Sequence, residues 1–210
     1  MDGKKRLLQI IKKLKKEYPH PQTALNFRSP FELLAATIMS AQTTDTQVNK
    51  VSATLFRKYT TIRDFATVPL KTLQKDLSSI NFFNNKAKNI QASANMVLQV
   101  YAGMIPKTME EITRLPGVAR KTGNIVLSTI YGVNEGIAVD THVLRLSQRL
   151  GLSAYGDPIR IERDLMALTP QKEWAILSHL LILHGRRICQ ARKPKHAECV
   201  LRDNCPSKDL

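Results

Sequence analysis

The chain has 210 residues, and 43% of them are hydrophobic, so it can bury a sizeable core and is not a disordered tail. Its 32 Lys and Arg residues against 17 Asp and Glu residues give a formal charge of +15, which favours a polyanionic partner because neutralised phosphates release counterions. No apolar run approaches the ~20 residues of a membrane-spanning helix, and the basic N-terminus lacks a signal-peptide core, so we expect a cytoplasmic protein with no membrane partner.

Two helices are expected at the start of the chain. Apolar residues spaced three and four positions apart predict a first helix that ends before Pro19, with its lysines largely on the other faces. Three interpretations of these lysines are open: they form a solvated face, they attract a nucleic acid over long range, or they bind a membrane surface. The second helix is mostly apolar and therefore buried. Ser29 is its expected N-cap, Pro30 lies in its first turn, and Glu32 completes a capping box.

The rest of the chain also has helical periodicity. No segment alternates with period two for long enough to predict a strand, so the expected fold class is all-α. After a polar break from Asn81 to Asn85, a long helix is expected to run to about Tyr101. The other expected helices lie at about 45–59, 108–114, 118–131, 140–150, 158–168 and 172–187.

The segment 115–124 contains a Pro-Gly turn between a short helix and a longer apolar helix. Gly117 permits a positive φ and the close approach of a ligand. Backbone N–H groups at the start of the second helix, with the positive end of the helix dipole behind them, then suit a phosphate. An ordinary turn between core helices is the alternative, which Arg120, Lys121 and the net charge disfavour. The arrangement looks like a helix-hairpin-helix motif, with Ala119 where the usual form has a second glycine.

Lys121 and Asp140 are the candidate catalytic residues. Lys121 is either a phosphate contact or a nucleophile, because a lysine amine can attack an electrophilic sugar carbon and form a Schiff base. Asp140 directly precedes an apolar-periodic helix and is an expected N-cap. A carboxylate held at a helix start stays oriented, so it can also stabilise a developing cation and help move protons. His142 is expected to orient or pack rather than to act as a base.

These motifs give a specific resemblance. Leu-Pro-Gly-Val-Ala-Arg-Lys-Thr at 115–122, followed by Val-Asp-Thr-His-Val-Leu-Arg-Leu at 139–146, resembles the endonuclease III family of DNA glycosylases. Segments 40–45 and 83–87 also match, and the resemblance covers essentially the whole chain. It implies a base-excision-repair enzyme, a bifunctional DNA glycosylase and AP lyase, in which Lys121 forms the Schiff base that leads to β-elimination and Asp140 is its partner. The implied substrates are oxidised pyrimidines in duplex DNA.

The resemblance also implies an architecture of two helical lobes. Residues 24–134 would form a six-helix barrel that includes the helix-hairpin-helix at about 108–131. Residues 1–23 and 135–210 would form the second lobe, with a metal-cluster loop at 189–205. DNA would lie in the cleft between the lobes, and we expect a monomer, because the cleft occupies the obvious surface. In a prokaryotic cell such an enzyme would be associated with the nucleoid.

The implied partner is double-stranded DNA with a damaged base or an abasic site. The damaged nucleotide would be flipped out of the stack, and loop residues would fill the gap. By position, Gln42 would enter from one side and the Asn81-Phe82 loop from the other, although the family often has Gly-Leu in this loop. The alternatives are core packing for Phe82 and a buried polar role for Gln42. The expected DNA contacts are Gln42, Asn81, Phe82, Leu115, Gly117, Ala119, Arg120 and His142.

All three cysteines lie near the C-terminus, at Cys189, Cys199 and Cys205. An odd count without a secretory signal favours a metal or redox site over disulfides. Members of the endonuclease III family usually carry Cys-x6-Cys-x2-Cys-x5-Cys, which holds a [4Fe–4S] cluster, and His196 stands at the position of the second cysteine here. Three interpretations follow: a cluster with His196 as a ligand, a zinc ion bound by Cys₃His, or no metal.

Two other functions compete with the bifunctional enzyme. A monofunctional mismatch glycosylase of the same superfamily would typically lack the lysine at position 121. A non-enzymatic DNA-binding module would use the hairpin only as a clamp, and it would not need Asp140 or the gap-filling loop residues.

Overall fold

The computed structural model describes residues 3–208, and all regular secondary structure in that range is helical. The predicted all-α class is confirmed. No helix in this range is long and apolar enough to cross a membrane. The α-helices are α1 (Gly3–Glu17), α2 (Pro30–Ser40), α3 (Asp45–Lys58), α4 (Ile62–Thr67), α5 (Leu70–Asp76), α6 (Phe83–Val100), α7 (Met109–Ile112), α8 (Arg120–Tyr131), α9 (Thr141–Arg149), α10 (Pro158–Leu168) and α11 (Trp174–Arg187). Short 3-10 helices occur at Gln171–Glu173, His196–Glu198 and Arg202–Asn204.

The described residues divide into two compact units, each with its own hydrophobic core. The first unit combines residues 3–23 with 134–208 and contains α1 and α9 to α11. In this unit the apolar stripe of α1 is buried against α10 and α11. The buried residues of the stripe are Leu7, Ile10, Ile11 and Leu14.

The second unit runs from Ala24 to Val133 and contains α2 to α8. Helix α2 is its centre, because every residue from Phe31 to Met39 is buried and the helix packs on α3, α6 and α8. A helix with apolar residues on all sides is stable only when other helices surround it. The mostly apolar composition of α2 therefore agrees with its central position. Helix α6 in turn packs against α4 and α5.

Two helix starts differ from the sequence prediction. Ser29 caps α2 by accepting a hydrogen bond from Glu32 N (3.2 Å), as expected. The reciprocal bond of the predicted capping box is absent, because the Glu32 carboxylate accepts from the backbone N–H of Arg28 (2.6 Å). Helix α6 begins at Phe83, inside the predicted polar break, because Phe82 reverses the chain with a left-handed backbone (φ 57°).

Candidate functional site

The predicted hairpin consists of α7, a tight turn and α8. Gly117 has a φ of +81°, and a Cβ atom there would lie 2.8 Å from Cβ of Asn89 on α6, so both the backbone and the packing require glycine. Ala119 occupies the N-cap of α8 and provides no side-chain cap, which leaves the first N–H groups of a 12-residue helix for another acceptor. Leu115 is 1% exposed, so only its backbone could contact a ligand.

Arg120 and Lys121 occupy the first turn of α8, and both side chains are exposed. They lie at the start of the helix, beside the positive end of the helix dipole. A phosphate bound at this helix start would therefore bring a sugar close to Lys121. This part of the hairpin can hold a nucleic-acid backbone and present an amine to it.

Asp140 is the N-cap of α9 in the other unit, as the sequence predicts. Its Oδ1 accepts hydrogen bonds from the backbone N–H groups of His142 and Val143, both at 2.8 Å. One oxygen makes both capping bonds, so the carboxylate is fixed in orientation while Oδ2 is left for another partner. The N-cap role and a catalytic role are therefore compatible.

His142 lies in the first turn of α9 and is half-buried. Its Nδ1 is 3.1 Å from Nη2 of Arg145, and since a guanidinium can only donate, Nδ1 is the acceptor. Burial lowers the pKa of His142, and the charges of Arg145 and Arg186 lower it further against the opposing effect of Asp140. A lowered pKa favours the neutral ring, and the orienting role expected from the sequence stays a prediction.

The two predicted gap-filling loops lie in the same unit and contact each other. Asn81 Nδ2 donates to the carbonyl of Gln42 at 2.6 Å. Gln42 (φ 53°) and Phe82 (φ 57°) both have left-handed backbones, which non-glycine residues rarely adopt. Phe82 is 63% exposed and Gln42 is also exposed, so core packing of Phe82 and a buried role for Gln42 are both wrong. Strain and exposure at the same residues are typical of functional loops.

The C-terminal loop brings its four candidate ligands to one pocket. Cys189, His196, Cys199 and Cys205 all line it, and the three cysteines are free thiols. Nε2 of His196 is buried without a hydrogen-bond partner among the described residues, which is costly unless another atom binds it. Between residues 3 and 208, no three His, Cys, Asp or Glu side chains are grouped as the ligands of a metal ion. The three thiols and the unpartnered imidazole nitrogen are donors of the kind that bind a metal centre.

Two of the sulfur atoms lie within hydrogen-bonding distance of a neighbouring cation or ring. Arg149 Nη1 donates to Cys189 Sγ at 3.3 Å. His184 Nε2 lies 3.4 Å from Cys199 Sγ, and its Nδ1 lies 3.1 Å from the hydroxyl of Tyr18. Desolvation lowers the pKa of His184 to about 4 and raises that of Tyr18 to about 12, so both side chains are neutral at pH 7. A donor such as the Arg149 guanidinium stabilises a thiolate ligand.

Sequence reasoning missed three polar residues of these sites, Tyr18, His184 and Lys86. Lys86 is buried beneath the loop that contains Gln42 and donates to the carbonyl of Met39 at 2.7 Å. Tyr18 looks like part of a terminal amphipathic stripe, and His184 like one polar residue in an apolar helix. Tyr18 and His184 bond to each other across 166 positions of the sequence, and Lys86 bonds to Met39 across 47 positions. No local sequence pattern indicates contacts over such separations.

Comparison with known proteins gives two family matches and many full-length relatives. Residues 35–171 match the HhH-GPD superfamily base excision DNA repair protein, and residues 189–205 match the iron–sulfur binding domain of endonuclease III. Endonuclease III of Synechocystis sp. is 48% identical over 204 residues, which cover 97% of this chain and 93% of that protein. Endonuclease III of Escherichia coli is 37% identical over 207 residues, 99% of this chain and 98% of that protein.

Solved structures match over nearly the whole chain. The structure of a trapped endonuclease III–DNA covalent intermediate is 42% identical with a TM-score of 0.92, covering 98% of this chain and 96% of that chain. A thermostable thymine-DNA glycosylase is 23% identical with a TM-score of 0.85, covering 98% of this chain and 97% of that chain, and shares the fold.

Proposed function

The chain belongs to the endonuclease III family of the HhH-GPD superfamily and is a bifunctional DNA glycosylase and AP lyase of base excision repair; we propose that Lys121 and Asp140 perform its chemistry. The observation that carries this assignment is the match, at a TM-score of 0.92 and 42% identity, to an endonuclease III captured in a covalent complex with DNA. An enzyme of this kind needs a nucleophile, and Lys121 is an exposed amine at the start of a hairpin helix.

In the first step, the free amine of Lys121 attacks C1′ of the damaged nucleotide. The C1′–N bond breaks and the base leaves with the electron pair, taking up the proton that the attached nitrogen loses. The C1′–O4′ bond then breaks as O4′ takes up a proton, which opens the sugar ring and leaves a protonated Schiff base between Lys121 and C1′. The cationic imine then acidifies the C2′ hydrogen. Loss of that proton expels the 3′ phosphate and nicks the strand, after which water hydrolyses the imine and frees Lys121.

Asp140 would stabilise the positive charge that develops on the sugar as the base departs, and help to shuttle protons. Its Oδ1 is held by two backbone N–H groups, so the orientation of the carboxylate is fixed and Oδ2 keeps its capacity to interact with a cation. A carboxylate fixed in advance needs no reorganisation in the transition state, which is where such electrostatic catalysis gains most.

The preferred substrates would be oxidised or saturated pyrimidines in duplex DNA, bound by a monomer at the nucleoid. The N–H groups at the start of α8, with Gly117, Ala119 and Arg120, would hold a backbone phosphate. Exposed Gln42 and Phe82 would fill the gap left by the flipped nucleotide. The unit of residues 24–134 would thus supply the clamp and the nucleophile, and the unit formed by 1–23 and 135–210 would supply the carboxylate.

Cys189, His196, Cys199 and Cys205 would hold a [4Fe–4S] cluster, which the match of residues 189–205 to an iron–sulfur binding domain supports. The buried, unpartnered Nε2 of His196 supports its role as the fourth ligand. A zinc ion bound by the same Cys₃His set is the alternative, and metal analysis of the purified protein distinguishes the two. When bound, the group would brace the loop as a rigid basic surface.

Borohydride trapping tests the nucleophile. Wild-type protein mixed with abasic duplex DNA and borohydride is expected to yield a covalent complex, because reduction converts the Schiff base into a stable amine. Lys121→Gln should bind the duplex but give no complex and no nick, while Lys88→Gln, which changes an exposed lysine on α6, should behave as wild type. A wild-type protein that binds the duplex and never crosslinks would contradict the lyase assignment, and trapping of Lys121→Gln would move the nucleophile elsewhere.

A further inference from the structure

Lys86 is a buried cation that the proposed chemistry does not use. It lies in the first turn of α6 and is 5% exposed, which is unusual for a lysine. Its ammonium donates to the carbonyl oxygens of Met39 (2.7 Å) and Ala41 and to the hydroxyl of Thr43 (3.1 Å). The three donors of the group therefore have three acceptors, and all three acceptors are neutral.

The acceptors of Lys86 mark the end of α2 and the loop that follows it. The last carbonyls of a helix lack intrahelical partners and carry the negative end of the helix dipole, so a cation placed there stabilises the helix end. Gln42 lies between Ala41 and Thr43, with a φ of 53°. Lys86 thus binds the backbone or side chain on both sides of the strained residue.

A second set of contacts joins this loop and the first turn of α3 to the loop before α6. Asn81 donates to the carbonyl of Gln42 at 2.6 Å. Gln47 Nε2 donates to the carbonyl (3.2 Å) and the hydroxyl (3.0 Å) of Ser79. Phe82 N-caps α6, and its carbonyl accepts from the backbone N–H of Lys86 at 3.1 Å. The two segments, 41–44 and 79–82, are called the wedge loops below.

Strained backbone conformations persist only where the surrounding structure fixes them. Gln42 and Phe82, the two residues proposed to enter the DNA gap, are both strained, and they are fixed by one shared network centred on Lys86 and Asn81. Neither residue is held by apolar packing, because both are exposed. The network is therefore what sets their positions relative to each other.

We propose that Lys86 is a positioning residue that, together with Asn81, locks the wedge loops into one rigid unit, so that Gln42 and Phe82 enter the duplex together. This inference rests on the proposed function, since it presupposes that the enzyme flips its target nucleotide. Flipping a stacked and paired lesion needs more energy than flipping an unpaired one. The rigid arrangement of Gln42 and Phe82 should therefore increase the excision rate most on a paired lesion.

The test compares two DNA substrates that carry the same saturated pyrimidine. In one the lesion is paired with a purine, and in the other it lies in a single-nucleotide bulge. Single-turnover excision by Lys86→Met should be slowed about tenfold on the paired lesion and no more than about twofold on the bulged lesion. Loss of a merely structural contact would slow both substrates by the same factor, so the ratio of the two rates is the decisive quantity.

Two further variants make the comparison unambiguous. Lys88→Met removes an exposed lysine of the same helix and should leave the ratio at its wild-type value. Asn81→Ala changes an exposed side chain and removes its bond to the Gln42 carbonyl without touching Lys86, so it should shift the ratio in the same direction as Lys86→Met. If Lys86→Met does not fold, Asn81→Ala decides alone.

A ratio unchanged by both Lys86→Met and Asn81→Ala would overturn the positioning role. Failure of the proposed function would look different, because wild-type protein would then excise the lesion from neither substrate. Fluorescence of 2-aminopurine next to the lesion provides a second readout, since Lys86→Met should reduce the unstacking signal on the paired duplex while the signal of Lys121→Gln stays at the wild-type level.

Discussion

At the scale of single residues, Asp140 combines an observed capping role with a proposed catalytic role. Its Oδ1 accepts two backbone hydrogen bonds at the start of α9, and this bonding fixes the orientation in which Oδ2 is presented. The capping role is therefore compatible with the proposed catalytic role. Substitutions that keep one role and remove the other should separate the two.

Asp140→Asn should retain the cap and lose the charge, because Asn and Asp cap helices about equally well. Its thermal stability should stay close to wild type, while base excision should fall by about 10²–10³ as the electrostatic stabilisation disappears. Asp140→Ala should lose the same activity and, in addition, ~1 kcal/mol of stability from the missing cap. Thermal unfolding and single-turnover excision measure the two effects.

As a matched control, Asp157→Ala removes the N-cap of α10, whose side chain accepts from Arg160 N at 2.9 Å. It should cost a similar amount of stability and leave excision intact. Full activity in Asp140→Asn would remove Asp140 from the chemistry and leave it as a cap alone.

The sequence identified Asp140, because capping is a local property of the residues that follow it. It did not identify Lys86, because a lysine in a polar stretch looks exposed until α2 is placed beside it. The left-handed backbones of Gln42 and Phe82 were equally hidden. Both depend on bonds between residues about 40 positions apart, such as Asn81 to Gln42, which no periodicity encodes.

At the scale of elements, the hairpin was predictable in position and purpose. The Pro-Gly turn and the apolar residues of α8 locate it, and Gly117 has the positive φ that the turn requires. The sequence could not show that Gly117 also packs against Asn89 of α6, which adds a steric requirement to the conformational one. The start of α6 was misplaced for a related reason, since the capping conformation of Phe82 is imposed by its neighbours rather than by its own preference.

Gly117→Ala should therefore reduce the free energy of unfolding more than a glycine substitution that introduces backbone strain without a steric clash. A left-handed alanine costs ~1–2 kcal/mol, and here its Cβ would also lie 2.8 Å from Cβ of Asn89. Gly103→Ala is the matched control, with a φ of +80° and no heavy atom within 4 Å of the added Cβ. Chemical denaturation should show a larger loss for Gly117→Ala.

Duplex binding distinguishes the functional part of this effect. Gly117→Ala should weaken affinity for abasic DNA, because the N–H groups at the start of α8 are displaced. Gly103→Ala should bind as wild type does. Equal losses of affinity in both variants would mean that the hairpin turn has no special part in DNA binding.

At the scale of the whole molecule, the charge of +15 is distributed over both units. The hairpin contributes Arg120 and Lys121 in one unit, and the loop at 189–205 contributes exposed Arg192, Lys193 and Lys195 in the other. Composition predicted the polyanionic partner but could not say which cations contact it. The loop has little regular structure beyond two short 3-10 helices. We therefore expect the proposed metal cluster to fix the positions of its arginine and lysine side chains.

The cluster and the basic loop can be tested together through the salt dependence of DNA binding. Anaerobically purified protein is expected to be brown and to contain about four irons per chain. Each phosphate contact contributes ~0.9 to the slope of log Kobs against log salt concentration, so Arg192→Gln with Lys193→Gln should reduce that slope by about 2 while the iron content stays unchanged. Lys71→Gln, an exposed lysine of α5, should change neither quantity.

His196→Ala should lose iron and reduce the slope as well, because the cations stay in the sequence but are no longer held in place. His196→Cys restores a fourth thiolate and should recover both the iron and the slope. A colourless wild-type protein with one zinc per chain would replace the cluster with a Cys₃His zinc site. Iron retained in His196→Ala would remove His196 from the ligand set, and loss of iron with an unchanged slope would show that the loop binds DNA without its brace.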